Sequence, residues 1–214
     1  MDFQAVIFDM DGLMFDTESA ALTAWRETMK RMGASVSEDV ILQTAGLNGV
    51  QSKALLARHV PGLDAERARE IWYEIFDGIL AENGVPVKPG LYALLDALKA
   101  AGVRRAVATG TRHEKAWSHL RSAGVEAAFD AVCTGDMVSR GKPAPDLFLK
   151  AAEMLGTEPK DCIVLEDSAY GIAAAQAAGM RAIMVPDQVP PAEGMALYGV
   201  CRDLNEVIKF LKLA

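Results

Sequence analysis

Two acidic pairs follow short apolar runs in distant parts of the chain. Asp9 and Asp11 come after AVIF (5–8), and Glu166 and Asp167 come after CIVL (162–165). Carboxylates that gather in a low-dielectric cleft repel one another unless a cation neutralises them. A set of carboxylate and carbonyl oxygens without Cys or His suits Mg²⁺, which takes further ligands from water and phosphate. If folding joins the two pairs, the sequence predicts a magnesium site.

The apolar runs beside these residues are typical of buried parallel strands. They are short, rich in Val and Ile and nearly continuous in hydrophobicity, as expected for strands covered on both faces. Helical patterns separate them, and three of these patterns end alike at a glycine, in AAGV (100–103), SAGV (122–125) and AAGM (177–180). This alternation predicts an α/β fold with a doubly wound parallel sheet, a Rossmann-like core. The five runs are AVIF (5–8), VRRAVA (103–108), FDAVC (129–133), CIVL (162–165) and RAIMV (181–185).

Polar residues follow three of the predicted strands at the point where each strand ends. They are Asp9 after the first run, Thr109 after the second and the acidic pair Glu166–Asp167 after the fourth. In an open parallel sheet, groups beyond the carboxyl ends of neighbouring strands converge on one crevice, where ligands bind. We therefore expect Asp9, Thr109 and Asp167 to meet there.

A cationic partner for these carboxylates lies in GKPAPD (141–146). Pro143 and Pro145 hold the backbone after Lys142 extended, ahead of a helix that we expect to start near Asp146. A lysine placed in this way can reach the crevice. There it would pair with Asp9 and with an incoming phosphate as a point charge.

Residues between the first and second strands have a different character. From about Thr17 to Ala81 there are helical stripes, such as Leu22, Trp25 and Met29, and no strand-like run. The segment PVKPG (86–90) then returns the chain to the sheet, because its prolines forbid a continuing helix. We predict an α/β core formed by residues 1–15 and 86–214, with an all-helical domain inserted at residues 16–85.

Composition restricts the possible partners of this 214-residue chain. The net charge of −7, from 22 Lys+Arg against 29 Asp+Glu, argues against nucleic-acid binding, which needs a basic surface. No apolar run approaches the roughly 20 residues of a membrane-spanning helix, and Met1 precedes the first strand too closely for a signal peptide. We expect a cytoplasmic monomer or weak homo-oligomer without membrane contact. Cys133, Cys162 and Cys201 form no CxxC pair, so we interpret them as core residues.

Together these residues resemble the haloacid dehalogenase-like (HAD) superfamily of phosphatases and phosphotransferases. The chain carries all four motifs of that family in order: FDMDG (8–12), Thr109, Lys142 in GKPAPD, and Glu166–Asp167. The helical insertion lies where the family carries its cap domain. The resemblance covers essentially the whole chain and is strongest to the branch of β-phosphoglucomutase and small sugar-phosphate or nucleotide phosphatases.

The resemblance implies a role for each motif residue. Asp9 would be the nucleophile that forms an aspartyl-phosphate, and Asp11 would act as the general acid and base. Mg²⁺ would be held by Asp9, Asp167 and the main-chain carbonyl of Asp11. Glu166 would be either a further ligand or a neighbour of the ligands outside the coordination sphere. Substrate phosphate would be bound by Lys142, Thr109 and the amides of Gly110 and Thr111. The chain would then be a Mg²⁺-dependent phosphatase of a small phosphorylated metabolite.

Several features leave alternatives open. The second motif reads TGT (109–111), whereas the family commonly has Thr-Ser-Ser or Thr-Asn. The His and Arg with which β-phosphoglucomutases usually grip a second phosphate would fall at Ala21 and near Gly49, so hydrolysis is favoured over a mutase reaction. A non-catalytic phospho-ligand binder has no need for Asp11, and a dehalogenase would lack it.

We name Glu18, Asn48 and Lys53 as candidate substrate contacts in the inserted domain. His59, His113 and His119 receive no role.

Overall fold

The computed structural model describes residues 2–45, 47, 49–187, 190–192 and 194–213. They form two compact units, one made of Met1–Phe15 and Val87–Ala214 and the other of Asp16–Pro86. The helices of the second unit are Thr17–Arg31 (α1), Glu38–Leu42 (α2), Gly49–His59 (α3) and Ala65–Asn83 (α4). The helices of the first unit are Leu91–Ala100 (α5), His113–Ser122 (α6), Asp146–Leu155 (α7), Ala169–Ala177 (α8) and Leu204–Phe210 (α9).

One parallel sheet organises the first unit. Its strands are Ala5–Phe8 (β1), Arg104–Ala108 (β2), Ala131–Cys133 (β3), Cys162–Glu166 (β4), Arg181–Met184 (β5) and Gly199–Val200 (β6). Within the described residues these six strands have the order β3-β2-β1-β4-β5-β6, and every pair is parallel. This is the strand order of a doubly wound Rossmann-like sheet. The predicted fold class is therefore confirmed.

The two faces of the sheet are both covered by apolar side chains. Ala5 and Ile7 of β1 belong to a buried cluster with Leu147 and Phe148 of α7 and Ile172 of α8. Because successive side chains of a strand point to opposite faces, Val6 and Phe8 face the other side of the sheet, where both are also fully buried. Burial on both faces explains why the first strand is a continuous apolar run.

The edge strand β6 was not predicted from the sequence. It is two residues long, contains Gly199 and pairs with β5 alone through Ile183↔Gly199 and Met184↔Val200. Val200 is half exposed, and this two-residue segment lacks the continuous apolar run that identifies the other five strands. Pairing with β5 stabilises a strand that local sequence does not indicate.

Aromatic packing holds the helical unit together. Trp72 of α4 stacks on Phe76 with ring centroids 4.7 Å apart, and it lies 5.5 Å from the ring of Trp25 in α1. The indole Nε1 of Trp72 also donates a hydrogen bond of 3.1 Å to the carbonyl of Ala21. Asp64 caps α4, since its carboxylate accepts from the amide of Arg67 at 3.0 Å. The helices α1 and α4 thus share one apolar core.

The cysteines behave as core residues, which confirms their interpretation. Cys133, Cys162 and Cys201 are free thiols and almost completely buried. Burial raises the pKa of each thiol to about 11, so all three are protonated near neutral pH. In the described part of the chain, none of the helices combines the length and apolar character needed to span a bilayer.

Candidate active site

The parallel register brings the first and fourth motifs side by side. Phe8 at the end of β1 pairs with Leu165 of β4, and the amide of Asp9 donates to the carbonyl of Leu165 at 3.0 Å. Glu166 is the next residue of β4. The carboxyl ends of these two strands therefore place Asp9 beside the pair Glu166 and Asp167, as the sequence predicted.

Three carboxylates converge at this edge of the sheet. Asp9, Glu166 and Asp167 each offer an oxygen atom, and these oxygens all lie within 4.8 Å of one another. Burial raises the pKa of Asp9 to about 8, with repulsion from Glu166 and Asp11 adding to the shift, although Lys142 opposes it. Burial, Glu166 and Asp9 also raise the pKa of Asp167 well above its usual range. Crowded acidic oxygens of this kind suit a hard divalent cation.

Lys142 reaches the cluster and bridges two of its carboxylates. Its ammonium group donates to Oδ1 of Asp9 and, at 2.6 Å, to Oε1 of Glu166. Burial disfavours the charged lysine, but the two carboxylates outweigh it and raise the pKa of Lys142. The lysine therefore stays protonated. Helix α7 begins at Asp146, directly after Pro145, as the GKPAPD motif predicted.

The Glu166 carboxylate accepts hydrogen bonds from two residues, Lys142 and Ser168. Its Oε2 accepts hydrogen bonds from the amide of Ser168 at 2.8 Å and from its hydroxyl at 2.9 Å, while Oε1 faces Lys142. The same Ser168 hydroxyl caps α8 by accepting from the amide of Gly171. The buried Glu166 carboxylate thus connects the lysine to the start of α8.

Asp11 occupies a different environment from Asp9. Its Oδ2 accepts hydrogen bonds from the hydroxyls of Thr111, at 2.7 Å, and of Thr109, at 3.3 Å. The Asp11 side chain is 31% exposed, compared with 9% for Asp9. One aspartate is therefore paired with a lysine inside a carboxylate cluster, whereas the other is held by neutral hydroxyls closer to solvent.

The second motif is organised by its own hydrogen bonds. The amide of Thr111 donates to Oγ1 of Thr109 at 3.0 Å, so this amide has a partner within the loop. Gly110 lies between them on an exposed turn. Thr109 is buried and orients Thr111 and Asp11 together. Direct binding of phosphate by Thr109, Gly110 and Thr111 stays a prediction.

Gly12 is required by a close approach as well as by its backbone conformation. Its φ is +87°, and a Cβ atom at this position would lie 2.2 Å from Oδ2 of Asp167. The absent side chain also leaves room for the Asp167 carboxylate.

His119 is a neighbour of Asp11 that sequence reasoning missed. This side chain is buried on α6, its Nδ1 lies 4.0 Å from Oδ1 of Asp11, and its ring packs edge-on against Phe15. It follows no motif, but it lies three residues after the buried Ala116, which is the spacing of an inward helix face. That periodicity was the available signal. His113 instead packs against Trp117, with ring centroids 6.0 Å apart.

The candidate substrate contacts in the helical unit have varied surroundings. Lys53 forms an ion pair of 2.5 Å with Glu66 across α3 and α4. Glu18 lies in the first turn of α1, and Asn48 lies outside the described residues. His59 is bonded within its own helix, 3.0 Å from the carbonyl of Leu55. The roles of Glu18, Asn48 and Lys53 toward a substrate remain predictions.

Comparison with known proteins agrees with this geometry. A family model described as haloacid dehalogenase-like hydrolase matches residues 3–179. The chain is 31% identical over 208 residues to the phosphorylated carbohydrates phosphatase of Thermotoga maritima, covering 95% of this chain and 88% of that protein. It is 34% identical over 189 residues to the fructose-1-phosphate phosphatase YqaB of Escherichia coli K12, covering 86% and 96% respectively.

A solved structure and a longer relative are also similar to this chain. The crystal structure of CbbY from Rhodobacter sphaeroides in complex with phosphate superposes with a TM-score of 0.79 at 29% identity, covering 96% of both chains. A longer plant protein, SUPPRESSOR OF QUENCHING 1 of Arabidopsis thaliana, is 36% identical over 190 residues, and the chain spans 18% of its length.

The fold and the four motifs define an α/β hydrolytic enzyme with a carboxylate centre. The chain belongs to the haloacid dehalogenase-like hydrolase family, and within it to the phosphatase and β-phosphoglucomutase-like branch. The resemblance inferred from the sequence is therefore confirmed.

Proposed function

We propose that this enzyme hydrolyses a small sugar phosphate through an aspartyl-phosphate on Asp9, with Mg²⁺ as its cofactor. The observation that carries the proposal is the contrast between its two neighbouring aspartates. Asp9 lies in a buried cluster of carboxylates that contacts Lys142, and Asp11 is held apart by the hydroxyls of Thr109 and Thr111. Two carboxylates in such different surroundings can carry out different steps of one reaction.

Asp9 and Asp11 would divide the reaction into two displacements. A carboxylate oxygen of Asp9 attacks phosphorus, and the P–O bond to the leaving alcohol breaks as Asp11 protonates the alcohol oxygen. Asp11 then accepts a proton from a water molecule that attacks the same phosphorus. The bond to Asp9 breaks, and inorganic phosphate leaves. Lys142 stays protonated throughout and balances the negative charge beside Asp9.

The carboxylate cluster fits a divalent cation. Asp9, Asp167 and the main-chain carbonyl of Asp11 would hold Mg²⁺, with Glu166 either as a further ligand or as the partner that positions Lys142. When bound, Mg²⁺ supplies positive charge that orients the phosphate and stabilises its transferring oxygens. The hard oxygen donors and their crowding support this choice of ion.

The proposed substrate class comes from the relatives. The Thermotoga maritima protein is named a phosphatase of phosphorylated carbohydrates, and the Escherichia coli protein is named for fructose 1-phosphate. The mutase alternative has less support, because the His and Arg that a mutase would use fall at Ala21 and near Gly49, and both are missing. A non-catalytic binder would not need an acid and base at Asp11.

Release of phosphate from a panel of sugar phosphates and nucleoside monophosphates tests the proposal. Wild-type protein freed of metal should be inactive with p-nitrophenyl phosphate and should recover with Mg²⁺. Asp9→Asn should abolish turnover, whereas Asp96→Asn, at an exposed position of α5, should leave it unchanged. Trapping of phosphate on Asp9 after an acid quench should identify the intermediate by mass spectrometry.

Each proposed element has an outcome that contradicts it. Near-normal turnover of the Asp9→Asn variant would exclude Asp9 as the nucleophile. Isomerisation of a hexose 1-phosphate that exceeds hydrolysis, and that depends on the hexose bisphosphate, would favour a mutase. An absence of phosphate release from every substrate would favour the binder.

A further inference from the structure

The last residue of β3 and the three residues that follow it contact the second motif along its whole length. We call residues 133–136 the β3 clamp. The carbonyl of Cys133 accepts from the amide of Thr109 at 3.0 Å, and the amide of Gly135 donates to the carbonyl of Thr111, also at 3.0 Å. The Asp136 carboxylate accepts from the amide of His113 at 3.0 Å. Hydrogen bonds therefore hold residues 109–113 at both ends and in the middle.

Gly135 lies too close to this loop to carry a side chain. A Cβ atom at residue 135 would lie 2.2 Å from the carbonyl oxygen of Gly110 and 2.8 Å from its carbonyl carbon. An ordinary contact requires 3.4 Å or more, so the backbone of one segment would have to move by about 1 Å. Both contacted atoms belong to the backbone of Gly110, so no flexible side chain can move aside to relieve the clash.

The carbonyl of Gly110 belongs to the same planar peptide unit as the amide of Thr111. That amide donates to Oγ1 of Thr109, and the Thr111 hydroxyl donates to Asp11 at 2.7 Å. A displacement of the Gly110 carbonyl would therefore move the groups that hold both Thr109 and the Asp11 carboxylate. Gly135 is thus coupled through one peptide unit to the proposed acid and base.

Asp136 replaces a missing local cap at the start of α6. The residue before this helix is Arg112, whose side chain makes no capping hydrogen bond. Oδ1 of Asp136 accepts instead from the first helical amide, that of His113, and is oriented by the Thr134 hydroxyl at 2.6 Å. The cap therefore comes from a segment 23 residues further along the chain.

We propose that Gly135 and Asp136 are positioning residues that set the geometry of the phosphate-binding loop at residues 109–113. Neither is a catalytic residue, because each acts through the second motif. This inference rests on the proposed function for the identity of the ligand, inorganic phosphate or a phosphomonoester. It goes further by assigning a role to the segment between the second and third motifs.

Direct binding of inorganic phosphate in the presence of Mg²⁺, measured by calorimetry, tests the inference without requiring turnover. A misplacement of about 1 Å can lower the reaction rate of a well-positioned site by about 100-fold. We therefore expect Gly135→Ala to weaken phosphate binding by at least about tenfold. With substrate, it should lower kcat as well as raise KM, since Asp11 moves together with the loop. Gly78→Ala is the matched control, because a Cβ at this helical position of α4 meets open space.

Variants at Asp136 provide a second and milder perturbation. Loss of a capping group corresponds to roughly a fivefold change in an equilibrium, so Asp136→Ala should weaken phosphate binding by about that factor. Asp136→Asn keeps an oxygen acceptor for the His113 amide and should restore binding to within about twofold of wild type. Rescue by asparagine separates the cap from a general effect of surface charge. If Gly135→Ala does not fold, these two variants decide the question.

The outcomes separate this inference from the proposed function. Wild-type binding and kinetics in Gly135→Ala, or equal phosphate affinity in wild type and Asp136→Ala, overturn the positioning role. A wild-type protein that binds phosphate but hydrolyses nothing overturns the proposed function, while the binding measurements still decide the role of the clamp. If wild-type protein hydrolyses substrates but binds phosphate too weakly to measure, the proposed function stands, and the kcat and KM of Gly135→Ala decide the role of the clamp.

Discussion

Replacing Lys142 with Met removes the ammonium group and keeps a side chain of similar length. Lys142 contacts Asp9 and Glu166, and the three side chains are 13%, 9% and 1% exposed. At the 2.6 Å separation from Glu166, the Coulomb attraction is about 6 kcal/mol for an effective dielectric constant of about 20. Desolvation of the buried ions offsets several kcal/mol of this attraction. Removing one partner also leaves carboxylates that repel one another without compensation.

We therefore expect Lys142→Met to lower the free energy of unfolding by about 3–5 kcal/mol in metal-free protein. Urea denaturation in EDTA measures this loss. Added Mg²⁺ should reduce it, because the cation neutralises the same carboxylates. Loss of the charge beside the proposed nucleophile should also lower kcat by about 10²–10³-fold, even with Mg²⁺ present.

Lys150→Met is the matched control for this prediction. Lys150 lies on α7 and pairs with Glu153 at 3.0 Å, but the two side chains are 37% and 70% exposed. An exposed pair contributes about 0–1 kcal/mol, so this variant should unfold almost as wild type does. If Lys142→Met and Lys150→Met have the same midpoint in EDTA, the lysine does not compensate the buried carboxylates, and the electrostatic account of the site is wrong.

Three further predictions follow from the same contacts. Thr111→Val should lower kcat by about tenfold or more through loss of the hydrogen bond to Asp11, and Thr111→Ser should restore it; equal rates in steady-state assays would contradict this. Because the folded pKa of Asp9 is raised from 3.8 to about 8, the folded state favours its protonated form, and this stabilisation is lost as pH rises through that range. Melting temperatures in EDTA should therefore fall as pH rises toward 8, and the increase in melting temperature on adding Mg²⁺ should grow with pH. An increase that does not change with pH would contradict binding of Mg²⁺ by the carboxylate cluster. Trp72→Ala should destabilise the helical unit by about 3–5 kcal/mol, measured by urea denaturation and near-UV circular dichroism, because its stacking and its contact with Trp25 are lost; an unchanged midpoint would refute this.

The convergence of the main motifs could be predicted because it depends on local pattern and simple topology. Continuous apolar runs identify strands that are buried on both faces, and parallel strands end at one edge of the sheet. These two rules place Asp9 beside Glu166 and Asp167, where the structure has them. The sequence also places Lys142 near them, since the prolines that follow direct the chain into α7.

Other features depend on contacts between residues that are distant along the chain. The Thr111 hydroxyl donates to Asp11, which is 100 positions away along the chain. The Gly110 carbonyl lies so close to Gly135 that residue 135 has no room for a side chain. His119 reaches Asp11 from the buried face of α6. Helical periodicity indicates that His119 faces inward, but no local preference indicates which residues make these contacts, because each contact depends on how separate segments pack against one another.

The amino-acid sequence by itself determined the chain order of the first five strands, the acidic pairs at strand ends and the family to which the chain belongs. These features follow from hydrophobic periodicity, turn-forming residues and short motifs, which act over a few neighbouring positions. Only the tertiary structure decided that Lys142 also contacts Glu166, which hydroxyls hold Asp11 and which glycine lies against the second motif. Those choices require distances of about 3 Å between separate segments, and such distances are set by the packing of the whole sheet.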